Sequence, residues 1–266
     1  MKGGVVLALG VARALAERPG TFAELGVLLV TDEEWRTAEF AHVDRFAGYD
    51  ACLCFEAGQL TEERAEGVVV RRKAAGTLRI TAAGRASHSG SAPDQGRNAL
   101  LALARTALAI ATFHDPQGDD RLSVVPTRIR SGDALNVVPA AGELVLDMRA
   151  DRLEAFESVL AAVPADDEGV TVQAHLERLW PGMDTTAATM ALLERAGTRL
   201  GRPIVGVNRG GASDASHFAT KIPLTVDGLG PRGAGAHTPE EFVLTRSLLE
   251  RSEVALAVAE EVLGAG

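Results

Sequence analysis

The chain is short of several things, and each shortage narrows what it can be. It has 2 cysteines in 266 residues, Cys52 and Cys54, too few for a disulfide framework. They lie two apart in an apolar run, side by side on one strand face, and C-x-C without further cysteines is incomplete as a metal or redox pair. They read as buried thiols, and nothing points to an oxidising compartment. Positive charge is scarce too. With 27 Lys and Arg against 36 Asp and Glu the net charge is -9, and no basic cluster stands out, which argues against nucleic acid or an anionic membrane as partner. An acidic chain can still bind cations. No segment approaches the roughly 18 consecutive apolar residues of a membrane-spanning helix, and there is no internal repeat or low-complexity tract. Lys2, the apolar stretch Val5 to Ala12 and the Ala14-Leu15-Ala16 pattern resemble a weak signal peptide. Arg13 and the shortness of the apolar stretch oppose that, so the expected location is cytoplasmic.

The length allows two domains or one large one, and assures a sizeable core. Gly26 to Val30 (GVLLV) reads as a short strand buried on both faces, the setting of a parallel sheet. Its carboxyl end, where such sheets bind ligands, runs into Thr31, Asp32, Glu33 and Glu34. Three carboxylates in one crevice need a cation, a proton or open water to relieve them. Before that strand, residues 3 to 18 predict a helix apolar nearly all round and therefore buried. An opening at the start of a helix, with no strand feeding it, implies missing sequence upstream. After it come a predicted helix over Trp35 to Phe46 and a buried strand Ala51 to Phe55 that ends in Glu56.

From about Gly67 the texture changes. Strand patterns at Thr77 to Thr81, Leu122 to Arg130, Gly142 to Met148 and Val170 to Leu176 alternate with helices at Asn98 to Phe113 and Arg152 to Val163. The order β-α-β-β-α-β is the ferredoxin-like, split βαβ arrangement. It fits an inserted domain of residues 73 to 181, with 1 to 72 and 182 to 266 forming an α/β domain whose mostly parallel sheet has helices on both faces. That last part carries a helix Thr185 to Leu200 and strands Ile204 to Val207 and Pro223 to Val226. Thr238, Pro239 and Glu241 then form a capping box that predicts a helix from there to Leu263, with His237 on a fixed platform before it.

Glu33 with Glu34, Glu56 and His237 thus stand at corresponding ends of buried elements. Carboxylates and an imidazole suit zinc, and a catalytic zinc keeps three protein ligands plus a water. A neighbouring carboxylate can take that water's proton. Ser213, Asp214 and His217 lack the G-x-S-x-G elbow of a serine hydrolase. His42, His114 and His175 have no acidic partner in register and read as surface or packing residues.

TDEE at 31 to 34, FEAG at 55 to 58, GRASHSG at 84 to 90, ALNVVPA at 134 to 140, DMR at 147 to 149, GGASDAS at 210 to 216 and GAGAHTPEEF at 233 to 242 together resemble the co-catalytic zinc exopeptidases and deacylases. That family includes glutamate carboxypeptidase, which looks nearest, acetylornithine deacetylase and succinyl-diaminopimelate desuccinylase. The resemblance implies an amide hydrolase acting next to a free carboxylate, on small peptides or N-acyl amino acids, with two zinc ions. It implies Glu33 as general base, Glu34, Glu56 and His237 as metal ligands, and His88, Asn136, Arg149 and Arg209 as substrate-binding groups. It also implies a homodimer through the inserted domain. Relatives carry an upstream H-x-D motif and a bridging Asp that these residues lack, so the expectation is a truncated site holding at most one zinc weakly, with little activity. Trp180 stands where close relatives often place Arg, which relaxes a strict glutamate preference. The rival expectation is a non-catalytic dimerising or binding module derived from the same family.

Overall fold

The computed structural model describes residues 2–18, 20–36 and 38–264. In chain order the elements are α1 (Lys2–Ala16), β1 (Ala51–Leu53), β2 (Gln59–Leu60), β3 (Glu66–Arg72), β4 (Ala74–Ala83), α2 (Ala99–Ala111), β5 (Ser123–Ser131), β6 (Ala141–Ala150), α3 (Ala155–Ala161), β7 (Asp166–Asp167) and β8 (Val170–Trp180). They continue with β9 (Met183–Asp184), α4 (Thr186–Leu200), β10 (Ile204–Arg209), α5 (Ala215–Ala219), β11 (Leu224–Val226), β12 (Gly233–Ala234), β13 (Phe242–Val243) and α6 (Thr245–Val262). The chain separates into two compact units. One comprises residues up to Arg36, Phe40–Arg72 and Met183 onward, and the other is built on Lys73–Gly182.

In the first unit β3 is the pivot. Its valines point alternately to opposite faces, and both faces are buried. Val68 and Val70 join Val11, Leu15, Leu193, Val254 and Val258 in a core made with α1, α4 and α6. Val69 packs with Met183 and Ala215 on the other side. β10 pairs parallel to β3 and β1 pairs parallel to β11, whereas β2 and β9 pair antiparallel to β3, so among the described residues the expected mostly parallel sheet is instead two small sheets, one of them mixed, with helices on both faces. Helix α4 ends at Gly201, whose φ of 73° supplies the left-handed cap that a side chain would strain.

The amino end of β3 carries an ionic knot. Glu66 is buried and accepts from Arg251 Nη1 at 2.8 Å and Arg232 Nη1 at 3.0 Å, with Arg202 Nε at 3.4 Å. Arg251, at 0% exposure the largest fully buried side chain among the described residues, also donates to the carbonyls of Gly228 and Gly230.

Four further expectations need correction. Residues 26–30 form neither helix nor strand, and Val27 and Leu29 are exposed while Leu28 and Val30 pack against the Phe40 and Phe218 cluster. The segment has the side-chain alternation of a strand without the backbone ladder that defines one. Among the described residues of 35–46 there is no α-helix, only a single 3₁₀ turn at Val43–Phe46, because Arg36 and Phe40 are drawn into other contacts described below. Helix α6 starts at Thr245 rather than Thr238. Phe242–Val243 pair antiparallel with Gly233–Ala234, which turns the predicted cap into a hairpin where Thr238 Oγ1 donates to Gly235 O at 2.8 Å. Helix α1 is also less buried than its composition implies: Leu7, Val11 and Leu15 face inward, while Val6 and Leu9 are exposed.

In the second unit the sheet order is β5-β6-β4-β8-β7, all antiparallel. Helices α2 and α3 bury Leu103, Ile110, Phe156 and Val159 against Leu78, Ile80, Leu144, Leu146 and Met148 of the central strands. This is the βαββαβ order with a short strand added. Strand β5 lies at an edge, where Val125 and Ile129 are exposed, and α2 exposes Leu101 and Leu108.

Candidate active site: a carboxylate crevice around Glu33

Four acidic residues of the first unit's crevice come shortly after apolar runs. Glu33 and Glu34 follow 26–30, Glu56 lies three residues past β1, and Asp227 directly follows β11. Glu33 is half-buried, and its carboxyl is raised to about 7, chiefly by burial and then by the charges of Glu56, Glu34 and Asp214, with Arg36 opposing. Glu56 is raised as well, first by burial and next by Asp227, with Arg72 pulling the other way. A carboxyl poised near neutrality in such a cluster has the proton affinity of a general base.

His237 sits at the hairpin tip in a left-handed backbone conformation, φ 65°, with Nε2 3.4 Å from Glu34 Oε1. Arg209 Nε donates to Gln59 Oε1 at 2.8 Å, and burial, then Arg72, lowers its pKa. The fit to zinc is partial. The donor chemistry suits the ion, yet among the described residues no three His, Cys, Asp or Glu side chains stand close enough to hold one. Glu34 and His237 come together and Glu56 lies within electrostatic reach of Glu34, but the single coordination sphere expected of Glu34, Glu56 and His237 is not formed. A catalytic zinc needs three protein ligands, so these residues do not complete such a site by themselves.

The sequence reading missed the groups beneath the crevice. Arg36 and Asp214 form a buried, two-pronged ion pair at 2.7 and 2.7 Å. Arg72 Nε donates to the fully buried Asp227 at 2.7 Å. The i, i+4 spacing of Asp32 and Arg36, a 3.3 Å pair in the structure, was the one local signal available. Cys52 and Cys54 are free thiols, with Cys52 pushed up to about 12 by burial and then by Asp227.

In the second unit two sequence-predicted residues meet. His88 bridges antiparallel to Val137, and Ser89 N donates to Asn136 O at 3.0 Å, so the loops carrying His88 and Asn136 lie side by side and exposed. His88 Nδ1 accepts from Gly90 N at 3.1 Å and Ser91 N at 3.2 Å, which assigns the ring hydrogen to Nε2. Arg149 is not brought to them. It pairs with Ala75 on β4, whereas Ala141, beside the His88 loop, pairs with Ala83, so about 26 Å of strand separates the two ends. Asp147 holds its guanidinium at 2.9 and 3.0 Å.

Residues 70–166 match the family model described as the peptidase dimerisation domain. Carboxypeptidase G2 of Pseudomonas sp. is 27% identical over 202 residues, 71% of this chain and 47% of that protein. The [LysW]-lysine/[LysW]-ornithine hydrolase of Sulfurisphaera tokodaii is 31% identical over 96 residues, 36% of this chain and 26% of that protein. Among solved structures, the aminopeptidase PepT of Bacillus cereus superposes with a TM-score of 0.74 at 19% identity, covering 98% of this chain and 70% of that one. A tripeptidase of Staphylococcus aureus gives 0.65 at 19%, covering 81% and 57%. The resemblance read from the motifs and the mixed α/β fold with its dimerisation domain are borne out. The chain spans about half the length, or less, of the curated relatives it matches.

Proposed function

We propose that the crevice around Glu33 belongs to an amide-hydrolysing site for peptides or N-acyl amino acids that carry a free carboxylate. The observation that carries this reading is the Glu33 carboxyl held near pH 7 among Glu34, Glu56 and Asp214. Glu33 takes a proton from the attacking water and passes it to the departing amine, the paired base and acid role that a group titrating near the working pH performs best. Arg209, half-buried beside Glu56 and Arg72, supplies a positive group for the substrate carboxylate. His88, as an Nε2 donor, and Asn136 offer a second polar pair for the substrate's oxygen atoms. Arg149 is tied to Asp147 and is the weakest of the substrate-binding assignments. Glu34, Glu56 and His237 make up part of a zinc ligand set, and zinc, once completely ligated, polarises an amide carbonyl.

Because the ligand set is incomplete, the 266 residues alone are expected to show negligible hydrolysis of N-acetyl, N-benzoyl and dipeptide substrates with added Zn²⁺. A version lengthened at its amino end by the H-x-D segment of the resembling enzymes is expected to turn them over. Robust zinc-dependent turnover by the short form would refute the ligand assignment, and an inert, well-folded lengthened form would refute the hydrolase reading.

We further propose that the second unit makes a homodimer through α2 and the edge strand β5, where unpaired backbone and exposed Leu101, Leu108, Val125 and Ile129 coincide. Sedimentation of the whole chain should show a dimer that Leu108→Glu together with Ile129→Lys converts to monomer. A monomer at all concentrations for the unaltered chain counts against it.

A further inference from the structure

The loop that carries Glu33 and Glu34 has no regular element to hold it. Between the end of α1 and the 3₁₀ turn at Val43–Phe46 the described residues form neither helix nor strand. The one backbone hydrogen bond within 31–36 runs from Trp35 N to Asp32 O at 3.2 Å. What reaches into this loop is the guanidinium of Arg36, whose side chain is 6% exposed. Nη1 and Nη2 donate to the two oxygens of Asp214, each at 2.7 Å, and Nε and Nη2 donate to Asp32 Oδ1 at 3.3 Å. Its plane also lies 4.6 Å from the centre of the Phe40 ring, which in turn stacks on His217 and meets Phe218 edge-on.

Asp214 immediately precedes α5, and α5 packs against β1 and β11. One side chain therefore ties both sides of the Glu33–Glu34 dipeptide to the rigid sheet: Asp32 before it and Arg36 after it. The two-pronged geometry fixes direction as well as distance, which a point charge such as lysine cannot do.

We infer that Arg36 and Asp214 are the positioning pair of this site, setting where the Glu33 and Glu34 carboxylates stand without touching substrate. The functional meaning rests on the reading of Glu33 as general base; the structural claim does not. A buried ion pair can also be a mere stabilising brick, and the test must separate the two. In the whole 266-residue chain, Arg36→Met with Asp214→Leu removes both charges and so leaves neither buried alone. The expected result is a urea midpoint close to that of the unaltered protein, with amide exchange at Trp35 faster by tenfold or more and a displaced His237 ring resonance at fixed pH, since that ring faces Glu34. Arg36→Lys is expected to give the same displaced ring resonance with intermediate exchange. If the double variant keeps both the exchange rate and the resonance, the proposal is overturned. Should the double variant fail to fold, Arg36→Lys decides: exchange and resonance identical to the unaltered chain overturn it, and altered ones support it. None of these readings uses turnover, so failure here leaves the hydrolase reading standing, and an inert enzyme leaves this inference standing.

Discussion

Replacing Glu66 with alanine is expected to lower the unfolding free energy of the first unit by about 3–5 kcal/mol, the usual cost of removing one partner of a buried ion pair. Glu66 is 4% exposed and Arg251 0%. Arg251 would keep its bonds to the carbonyls of Gly228 and Gly230 but lose its carboxylate partner, and Arg232 would keep its pair with Glu250. The effect should reach the crevice, because β3 starts at Glu66 and ends at Arg72, the partner of Asp227. Urea unfolding followed by a probe in the first unit measures it. A loss under about 1 kcal/mol would show that the knot is not an anchor of the fold.

Glu33→Gln should act in opposite directions on stability and on chemistry. The folded carboxyl titrates near 7 rather than at its ordinary 4.5, so the folded state holds that proton more tightly than the unfolded chain does. Its stabilising contribution is complete below about pH 4.5 and is lost as pH rises through 7. A neutral glutamine avoids that loss. The variant should therefore match the parent in stability at pH 4 and exceed it at pH 8. In the lengthened form proposed as the hydrolase, the same change should reduce turnover by about 10²- to 10⁴-fold, the range for losing a general base. Equal stability at pH 8, or unimpaired turnover, would remove Glu33 from the role.

The second unit was legible because each of its elements carries its own period. Alternation marked β4 and β6, a 3.6-residue stripe marked α2, and the order of elements alone gave the topology. The first unit was legible where burial is local, as in α4, and misleading where partners decide. The GVLLV run has strand composition, but a strand exists only when another backbone completes its ladder, and none does among the described residues. Thr238, Pro239 and Glu241 have cap chemistry, yet Gly233–Ala234 capture Phe242–Val243 first. Glu33, Glu34, Glu56 and His237 were readable as chemistry at the ends of apolar runs. The Arg36–Asp214 pair spans 178 positions in sequence, and no local pattern announces it. Arg149 was named from its motif, and its place on β6, a strand's length from His88 and Asn136, is likewise something no local pattern announces.

Glu33 can serve as the base only if the crevice holds its carboxyl near neutrality. Carbon-13 NMR of protein labelled at glutamate side-chain carboxyls, with Glu33→Gln used to assign the resonance, follows that group directly through a pH titration. A midpoint near 7 for Glu33 is the predicted result, and a midpoint near 4.5, the value of an ordinary solvated glutamate, would contradict the account.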